Sequence, residues 1–90
     1  MKTKGTLAER AIWWAGEFTK ALMDWPELRE QIPEHATVVI LPDEDPELAS
    51  YNVSLVYKAE GEVIFVRFKK SASGYTIEPF YPQQNYHYSP

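Results

Sequence analysis

Cysteine is absent from the chain, and glycine and histidine are scarce, with four glycines and two histidines among 90 residues. Without cysteine the protein has neither disulfides nor thiolate metal sites, and a reducing compartment is permitted. So few glycines provide no phosphate-binding loop. The histidines, His35 and His87, accompany no motif that positions a nucleophilic serine, so we interpret them as surface residues. The sequence therefore contains no recognisable catalytic signature.

Long apolar runs and extended clusters of positive charge are also missing. No apolar run approaches the roughly 18 residues of a membrane span, and the apolar start of the chain contains Glu9 and Arg10, unlike a signal peptide. Thirteen acidic and nine basic residues give a net charge of −4, which argues against a nucleic-acid ligand. The composition predicts a cytoplasmic protein that binds neither membrane nor nucleic acid.

The composition and length of the chain are those of one folded domain with a small core. Hydrophobic residues make up 44% of the chain and aromatic residues 14%, which is typical of a globular protein. A chain of this length buries only about 60 to 65% of its unfolded surface. We therefore predict a single α/β (α+β) domain over residues 1–78, a tail rich in proline and aromatic residues over 79–90, and a modest stability that a partner subunit would increase.

The amino-terminal part of the chain has the pattern of an amphipathic helix. Thr6 and Glu9 form the signature of a capping box, and apolar residues then recur at helical spacing. The residues of this stripe are Leu7, Ala11, Trp14, Ala15, Phe18, Leu22 and Trp25. The pattern predicts a long helix over residues 6–24. A second, short helix is predicted to begin at Pro26, with Asp24 and Glu27 as a further capping box.

Trp13 does not belong to the apolar stripe of the long helix. At about 100° per residue it lies roughly 140° from the centre of the stripe, beside charged residues on the side expected to face water. Ile12 and Met23 lie nearby, on either side of Gly16. Because tryptophan is enriched at interaction hot spots, this side is a candidate contact surface. The alternative is that Trp13 packs under the carboxyl-terminal tail.

One segment has the pattern of a buried strand followed by a sharp turn. Residues 36–41 form a continuous apolar run rich in β-branched side chains, which predicts a strand covered on both faces. Pro42 ends this run. Asp45 and Pro46 then have the residue types of an N-cap and a first helical position, so a helix is predicted to begin there.

Residues 47–60 fit two periodicities. As a helix they continue from the preceding cap, whereas as a strand Tyr51–Tyr57 alternates between apolar and polar residues before a hairpin turn. Capping favours the helix, and β-propensity favours the strand. Two further strands are predicted over residues 63–69 and 75–78, the second ended by Pro79.

Part of the chain is similar to a known protein family. Within residues 17–69, the pattern I-P-x-x-A-x-V-V-x-L-P-x-x-D-P-E-L, followed by Asn52 and Gly61, resembles a family of small prokaryotic proteins known only as a domain of unknown function. The resemblance implies a helix after the D-P-E-L turn. It does not indicate any activity. The predicted fold is then two helices, a β-α-β unit and a hairpin strand in a three-stranded sheet. The Val53–Tyr57 segment departs from the family pattern, which leaves the long helix on a four-stranded antiparallel meander as the alternative.

Asp43, Glu44 and Asp45 form a cluster of candidate chemical groups. In a β-α-β unit they lie at the carboxyl end of the first strand, where open α/β sheets bind ligands. Their oxygens have the chemistry to bind magnesium or manganese, with Glu47, Glu62 or His35 as further ligands. In the alternative interpretation Asp45 caps the next helix and the other two are solvated turn residues. No cofactor is expected beyond this candidate divalent metal.

A buried amide needs hydrogen-bond partners, and Asn52 falls on the apolar side of the predicted crossover helix. The amide could reach the neighbouring loop or strand end, and we expect it to tie the acidic loop to that helix; the alternative is that it recognises a ligand. For the protein as a whole, the patterns predict a noncatalytic module that binds protein, either a second copy as a homo-oligomer or a different partner. The predicted contact residues are Ile12, Trp13, Met23, Phe80, Tyr81, Tyr86 and Tyr88. The alternative is a small metal-dependent or acid-base enzyme centred on the acidic loop.

Overall fold

The computed structural model describes residues 5–81 and places three α-helices, one 3-10 helix and three strands along them. Two helices lead into a strand-helix-strand unit, and a hairpin completes the sheet. The helices are α1 (Leu7–Asp24), α2 (Pro26–Glu30) and α3 (Pro46–Ser54), with a 3-10 helix at Val56–Lys58. The strands are β1 (Thr37–Pro42), β2 (Val63–Ser71) and β3 (Gly74–Phe80).

The central strand of the sheet is β2. It pairs in parallel with β1, from Thr37 opposite Val63 to Pro42 opposite Phe68, and antiparallel with β3. Helix α3 connects the two parallel strands and packs mainly against β1. The predicted α+β fold with a β-α-β unit is therefore confirmed, and the alternative four-stranded meander is wrong.

Capping decides the conformation of the ambiguous segment after β1. The side chain of Asp45 accepts a hydrogen bond from the backbone N–H of Leu48 at 3.2 Å, and Pro46 is the first helical residue. Helix α3 then continues to Ser54, and a 3-10 turn rather than a strand follows it. A capped helix start therefore outweighs the β-branched and aromatic composition of the Val53–Tyr57 segment.

Asn52 ties α3 to the sheet. Its side-chain amide donates a hydrogen bond to the backbone oxygen of Ile40 at 2.9 Å. Ile40 lies in β1, whose outer side pairs with no other strand among residues 5–81, and unpaired backbone groups of an edge strand need partners. Asn52 therefore has a structural role, but the predicted partner is wrong, because its amide binds the strand and not the acidic loop.

Helix α1 begins with the predicted capping box. The backbone N–H of Glu9 donates to Thr6 Oγ1 at 3.1 Å, and that of Thr6 donates to Glu9 Oε1 at 3.0 Å. The second predicted capping box does not form, because Trp25 rather than Asp24 is the N-cap of α2 and makes no side-chain capping bond. Trp25 is also exposed rather than part of the inner stripe. Its extended backbone (φ −124°, ψ 93°) places it beyond the helix, where helical spacing no longer applies.

Strand β3 is longer than predicted, since it runs through Pro79 to Phe80, which pairs with Phe65. A proline interrupts a strand where its nitrogen would have to donate to the ladder, but an edge strand such as β3 tolerates it. Pro79 and Phe80, which the sequence pattern assigns to the tail, therefore lie in the sheet. Of the rest of the predicted tail, Tyr81 follows the strand and residues 82–90 lie outside the described residues.

The core lies between the helices and one face of the sheet. Along β2, Ile64, Val66 and Phe68 point to this face and are at most 1% exposed, whereas the residues between them alternate to the opposite face. The main cluster of buried residues draws on α1, α2, α3 and β2: Trp14, Phe18, Leu28, Leu48, Val66 and Phe68. One inner stripe of α1 thus faces the sheet and leaves the rest of that helix outside.

Replacing Leu48 with alanine tests how α3 packs. Leu48 is 0% exposed, and a Leu→Ala change in a packed core costs about 2 to 5 kcal/mol. We expect a loss of that size in the free energy of unfolding, measured by urea denaturation. The control Ser50→Ala, at an exposed position of the same helix, should change it by less than about 0.5 kcal/mol. Equal losses in the two variants would contradict the packing of α3.

Candidate functional site

The acidic loop, Asp43, Glu44 and Asp45, follows β1 at the carboxyl end of the two parallel strands. This is the edge at which open α/β sheets bind ligands. Each carboxylate, however, is directed to a different base on α1 or β2. The ion pairs are Asp43 with Arg67 (2.9 Å), Glu44 with Lys70 (2.9 Å) and Asp45 with Arg10 (2.9 Å). The three carboxylates therefore diverge instead of converging on one point.

Arg10 joins α1 to the start of α3. Its guanidinium donates two hydrogen bonds to Asp45, from Nε to Oδ2 at 2.9 Å and from Nη2 to Oδ1 at 3.0 Å, and Nη2 also donates to Glu47 at 2.7 Å. Hydrogen bonds to Asp45 and then to Glu47 raise the pKa of Arg10 well above its ordinary value. Asp45 also caps α3, as predicted, by accepting from the N–H of Leu48. One largely buried carboxylate thus positions two helices.

Glu44 lies between Lys70 and the hydroxyl of Tyr75. Tyr75 Oη donates to Glu44 Oε1 at 2.8 Å, and Lys70 Nζ lies 2.9 Å from Glu44 Oε2. Hydrogen bonds from Lys70 and then Tyr75 lower the pKa of Glu44, while burial and then the bond to Glu44 raise the pKa of Tyr75 to about 12. Hydrogen bonding by Arg67 likewise lowers the pKa of Asp43. The loop is held as a set of ionised, paired carboxylates.

The geometry of the acidic loop does not support the predicted metal site. Among residues 5–81, no group of three or more His, Asp or Glu side chains is placed to hold a metal ion. A cation at the loop would have to displace the bases that already bind its carboxylates. His35 and Glu62, two of the further ligands considered, precede β1 and β2, and the six residues of β1 separate the two ends of the sheet by about 20 Å.

A pocket of about 350 Å³ opens between the acidic loop and α1. Trp13 borders it and is exposed, as predicted, and its ring contacts that of Trp14 edge to face, with centroids 4.9 Å apart. Trp14 is buried and packs in turn against Phe68 and Tyr75. The residues that line the pocket are Glu9, Arg10, Trp13, Trp14, Glu44 and Asp45. Trp13 is therefore held in place by the core while its surface stays accessible.

The outer face of α1 consists of exposed residues that carry no charge. Ile12 and Met23 are its two large side chains, and both are exposed as predicted. Trp13 lies at its border. The members of the outer face are Ala8, Ile12, Ala15, Gly16, Thr19 and Met23. Ala15, which the sequence pattern assigns to the inner stripe, is exposed because it lies about 70° from the centre of that stripe, at its margin.

The aromatic residues at the end of β3 lie on a different surface from Trp13. Phe80 and Tyr81 are exposed, but Phe80 is five residues beyond Tyr75 and thus about 17 Å further along the strand. Phe80 also points to the sheet face opposite α1, where its ring lies 5.3 Å from that of Phe65. Neither residue covers Trp13.

The predicted contact residues are thus divided into three groups. Three of them share the exposed side of α1: Ile12, Trp13 and Met23. Two lie at the far end of β3: Phe80 and Tyr81. The other two lie outside the described residues: Tyr86 and Tyr88. The exposed side of α1 is therefore the predicted contact surface to which the described residues contribute the most side chains.

Sequence patterns alone do not identify Arg10 or Tyr75 as partners of the acidic loop. Arg10 is 35 positions from Asp45, and Tyr75 is 31 positions from Glu44, so no local pattern reports either contact. One signal is available for Arg10. It lies about 70° from the centre of the inner stripe, where a partly buried charge needs an oppositely charged partner.

These features define a small α+β domain with helices packed on a three-stranded mixed sheet. Over residues 6–78 the chain matches DUF5647, a family of unknown function, and it belongs to that family. The predicted membership of a domain family of unknown function is confirmed. Searches of curated proteins and of solved structures found no match. Within residues 5–81, no helix combines the length and apolar character needed to cross a membrane.

The double substitution Asp43→Asn, Glu44→Gln is expected to flatten the acid side of the stability profile. The folded state lowers the pKa of both carboxyls. Their contribution to stability is therefore fully present above the unfolded-state pKa values and is lost as the pH falls through the folded-state values. Thermal unfolding at a series of pH values should show a steady loss in wild type below about pH 4.5, and a smaller loss in the double variant.

The control for this experiment is Glu60→Gln, at an exposed loop position, which should keep the wild-type slope. A double variant with an unchanged slope would show that the ion pairs of Asp43 and Glu44 do not contribute to stability.

Proposed function

We propose that the domain is a noncatalytic protein-interaction module that self-associates through the outer face of α1, with Trp13 at the border of the contact. The observation that carries the proposal is the exposure of three large apolar side chains on a helix whose other side packs in the core. Ile12, Trp13 and Met23 are 72%, 53% and 71% exposed. Exposed apolar patches rimmed by polar residues mark interaction sites, and tryptophan is enriched among the residues that dominate binding energy.

The small size of the core supports self-association. Only eight hydrophobic residues of the described chain are buried, and a chain of this length leaves a large fraction of its unfolded surface exposed after folding. Contact with a second copy removes further apolar surface from water, which is favourable by about 25 cal/mol per Å² before the entropic cost of association is subtracted. Folding stability then rises with protein concentration. Self-association thus supplies stabilisation that the small core lacks.

The opposite sheet face is a weaker candidate for the contact. It carries Phe65 and Phe80, but it also presents Arg67, Lys69 and Glu78, the last two in an ion pair at 3.6 Å. Burying such groups in a contact costs free energy unless the partner pairs each of them. None of the residues of the outer face of α1 is charged, and the charged Glu9 and Lys20 lie only at its border, near Trp13, where a contact can leave them in water.

Trp13→Ala is expected to weaken self-association by about tenfold or more, since a hot-spot tryptophan contributes at least about 1.4 kcal/mol. The fold should persist, because Trp13 is exposed and loss of its ring contact with Trp14 costs only about 0.5 to 1.5 kcal/mol. Light scattering over a concentration series measures the molar mass, and circular dichroism checks the fold.

The matched control is Phe80→Ala, which removes an exposed aromatic side chain from the opposite sheet face. It should leave self-association unchanged. A wild-type protein that stays monomeric at every concentration would overturn the proposal and direct the search to a different protein partner. Association that survives Trp13→Ala but is lost in Phe80→Ala would place the contact on the sheet.

A further inference from the structure

The outer face of α1 has the spacing of a helix-packing seam. Its members follow one another at intervals of four, three, four and four residues: Ala8, Ile12, Ala15, Thr19 and Met23. Steps of three and four residues align side chains along one side of a helix, as in coiled coils. All five are exposed in the described chain. A second helix is the element that fits such a seam.

We propose that a second copy of the chain packs on this seam, with the two α1 helices antiparallel about a two-fold axis between Ala15 and Gly16. The proposal rests on the self-association proposed above and specifies its geometry. A two-fold axis makes the same surface serve both copies. At this position of the axis, Ala8 of one copy lies opposite Met23 of the other, and Ile12 lies opposite Thr19.

Side-chain size favours the antiparallel orientation. In the antiparallel pair each large side chain lies opposite a smaller one, Met23 against Ala8 and Ile12 against Thr19, so the two surfaces interdigitate. In a parallel pair each residue lies opposite its own copy. Ala8 would then meet Ala8 and leave a gap, while Met23 would meet Met23 and crowd the other end. The order of sizes along α1 therefore distinguishes the two orientations.

Gly16 points independently to a close helix contact. It lies in the middle of α1, where glycine costs about 1 kcal/mol relative to alanine. A Cβ added there would meet no atom within 4 Å, so no contact inside the described chain requires the missing side chain. The absence of a side chain is explained if a second helix crosses at Gly16. The two helix axes can then approach to the short end of the usual interaxial range of about 8 to 10 Å.

Thr19 can be buried in this contact without loss of a hydrogen bond. Its hydroxyl already donates to the backbone oxygen of Ala15 at 3.0 Å within the same helix. A buried hydroxyl without a partner would cost about 1 to 3 kcal/mol. Because the internal bond remains, Thr19 presents its methyl group to the second copy as an apolar surface.

Charges at the border of the seam also match in the antiparallel orientation. Lys20 of the second copy comes level with Ala11, between Glu9 and Trp13. The side chain of Lys20 is 68% exposed and pairs with Glu17 of its own helix at 3.0 Å, and the exposed Glu9 lies beside Trp13 on the same side of the seam. In the antiparallel pair the ammonium group of Lys20 can turn from Glu17 to Glu9 of the other copy, beside the ring of Trp13, so opposite charges meet at the border of the seam. The two-fold axis forms this contact twice.

Cysteine cross-linking tests the orientation directly, because the chain has no cysteine of its own. A disulfide needs Cα atoms about 4.4 to 6.8 Å apart, a separation that only residues near the axis have from their own copies. Ala15→Cys should therefore cross-link to itself at least about tenfold faster than Ala8→Cys or Met23→Cys does, since the dimer raises the local thiol concentration. An equimolar mixture of Ala8→Cys and Met23→Cys should form disulfides between unlike chains, detected by mass spectrometry.

The outcomes separate this proposal from the self-association on which it rests. Self-cross-linking of Ala8→Cys as fast as that of Ala15→Cys would show parallel helices and overturn the antiparallel arrangement. If the protein is dimeric but none of the three positions cross-links preferentially, the contact lies elsewhere on the molecule and the proposed seam is wrong. Self-association itself would still be supported. A monomeric protein would overturn both proposals.

A second variant tests the close approach without oxidation. Gly16→Gln introduces a long polar side chain and a better helix former at a position where an added Cβ meets no atom within 4 Å, so its monomer should be at least as resistant to heat as the wild-type monomer, compared at concentrations too low for dimerisation. Dimerisation measured by light scattering should weaken by at least about tenfold. The control Ser50→Gln, exposed on α3, should leave it unchanged. A Gly16→Gln protein that dimerises like wild type would overturn the proposed crossing point.

Discussion

The burial of Trp14 sets the rotation of α1, and the surfaces of the molecule follow from that rotation. Its ring packs edge to face on those of Phe68 and Tyr75, with centroids 5.3 and 5.4 Å away. Because neighbouring helical residues differ by about 100°, burying residue 14 turns Trp13 outward. The Arg10–Asp45 ion pair fixes the same rotation from another side, since it joins α1 to the start of α3. The position of the apolar outer face is thus a consequence of how firmly the inner face is held.

The acidic loop shows how residue types common in active sites can serve the fold. Asp45 caps α3 and binds Arg10, and Glu44 accepts the hydroxyl of Tyr75 while pairing with Lys70. The lowered pKa of Glu44 follows from these contacts. A group that transfers protons in catalysis has a pKa near the working pH. A carboxyl group with a lowered pKa instead stays ionised and acts as a partner for basic side chains. In other α/β proteins this edge of the sheet binds ligands. Here ion pairs join the acidic loop at this edge to α1 and β2.

Local signals predict most of the elements, and the details that they miss depend on distant residues. The capping box at Thr6 and the cap at Asp45 are local, and each predicts a helix that the structure contains. The effect of Pro79 depends on whether its strand lies at an edge, which is a property of the whole sheet. The contact of Arg10 depends on a partner 35 residues away. For the candidate site, the exposure of Trp13 follows from helical periodicity, while its separation from the aromatic end of β3 requires the sheet register.

An isotope-filtered NOE spectrum of mixed labelled and unlabelled protein records contacts between copies only, and it shows directly whether the chain self-associates through the outer face of α1. If copies meet on the outer face of α1, the methyl groups of Ile12 and Thr19 should give a cross-peak between chains. Within one helix these residues are about 10 Å apart, too far for an intramolecular signal. Contacts between copies confined to Phe65 and Phe80 on the opposite sheet face, or no contacts at all, would contradict the claim.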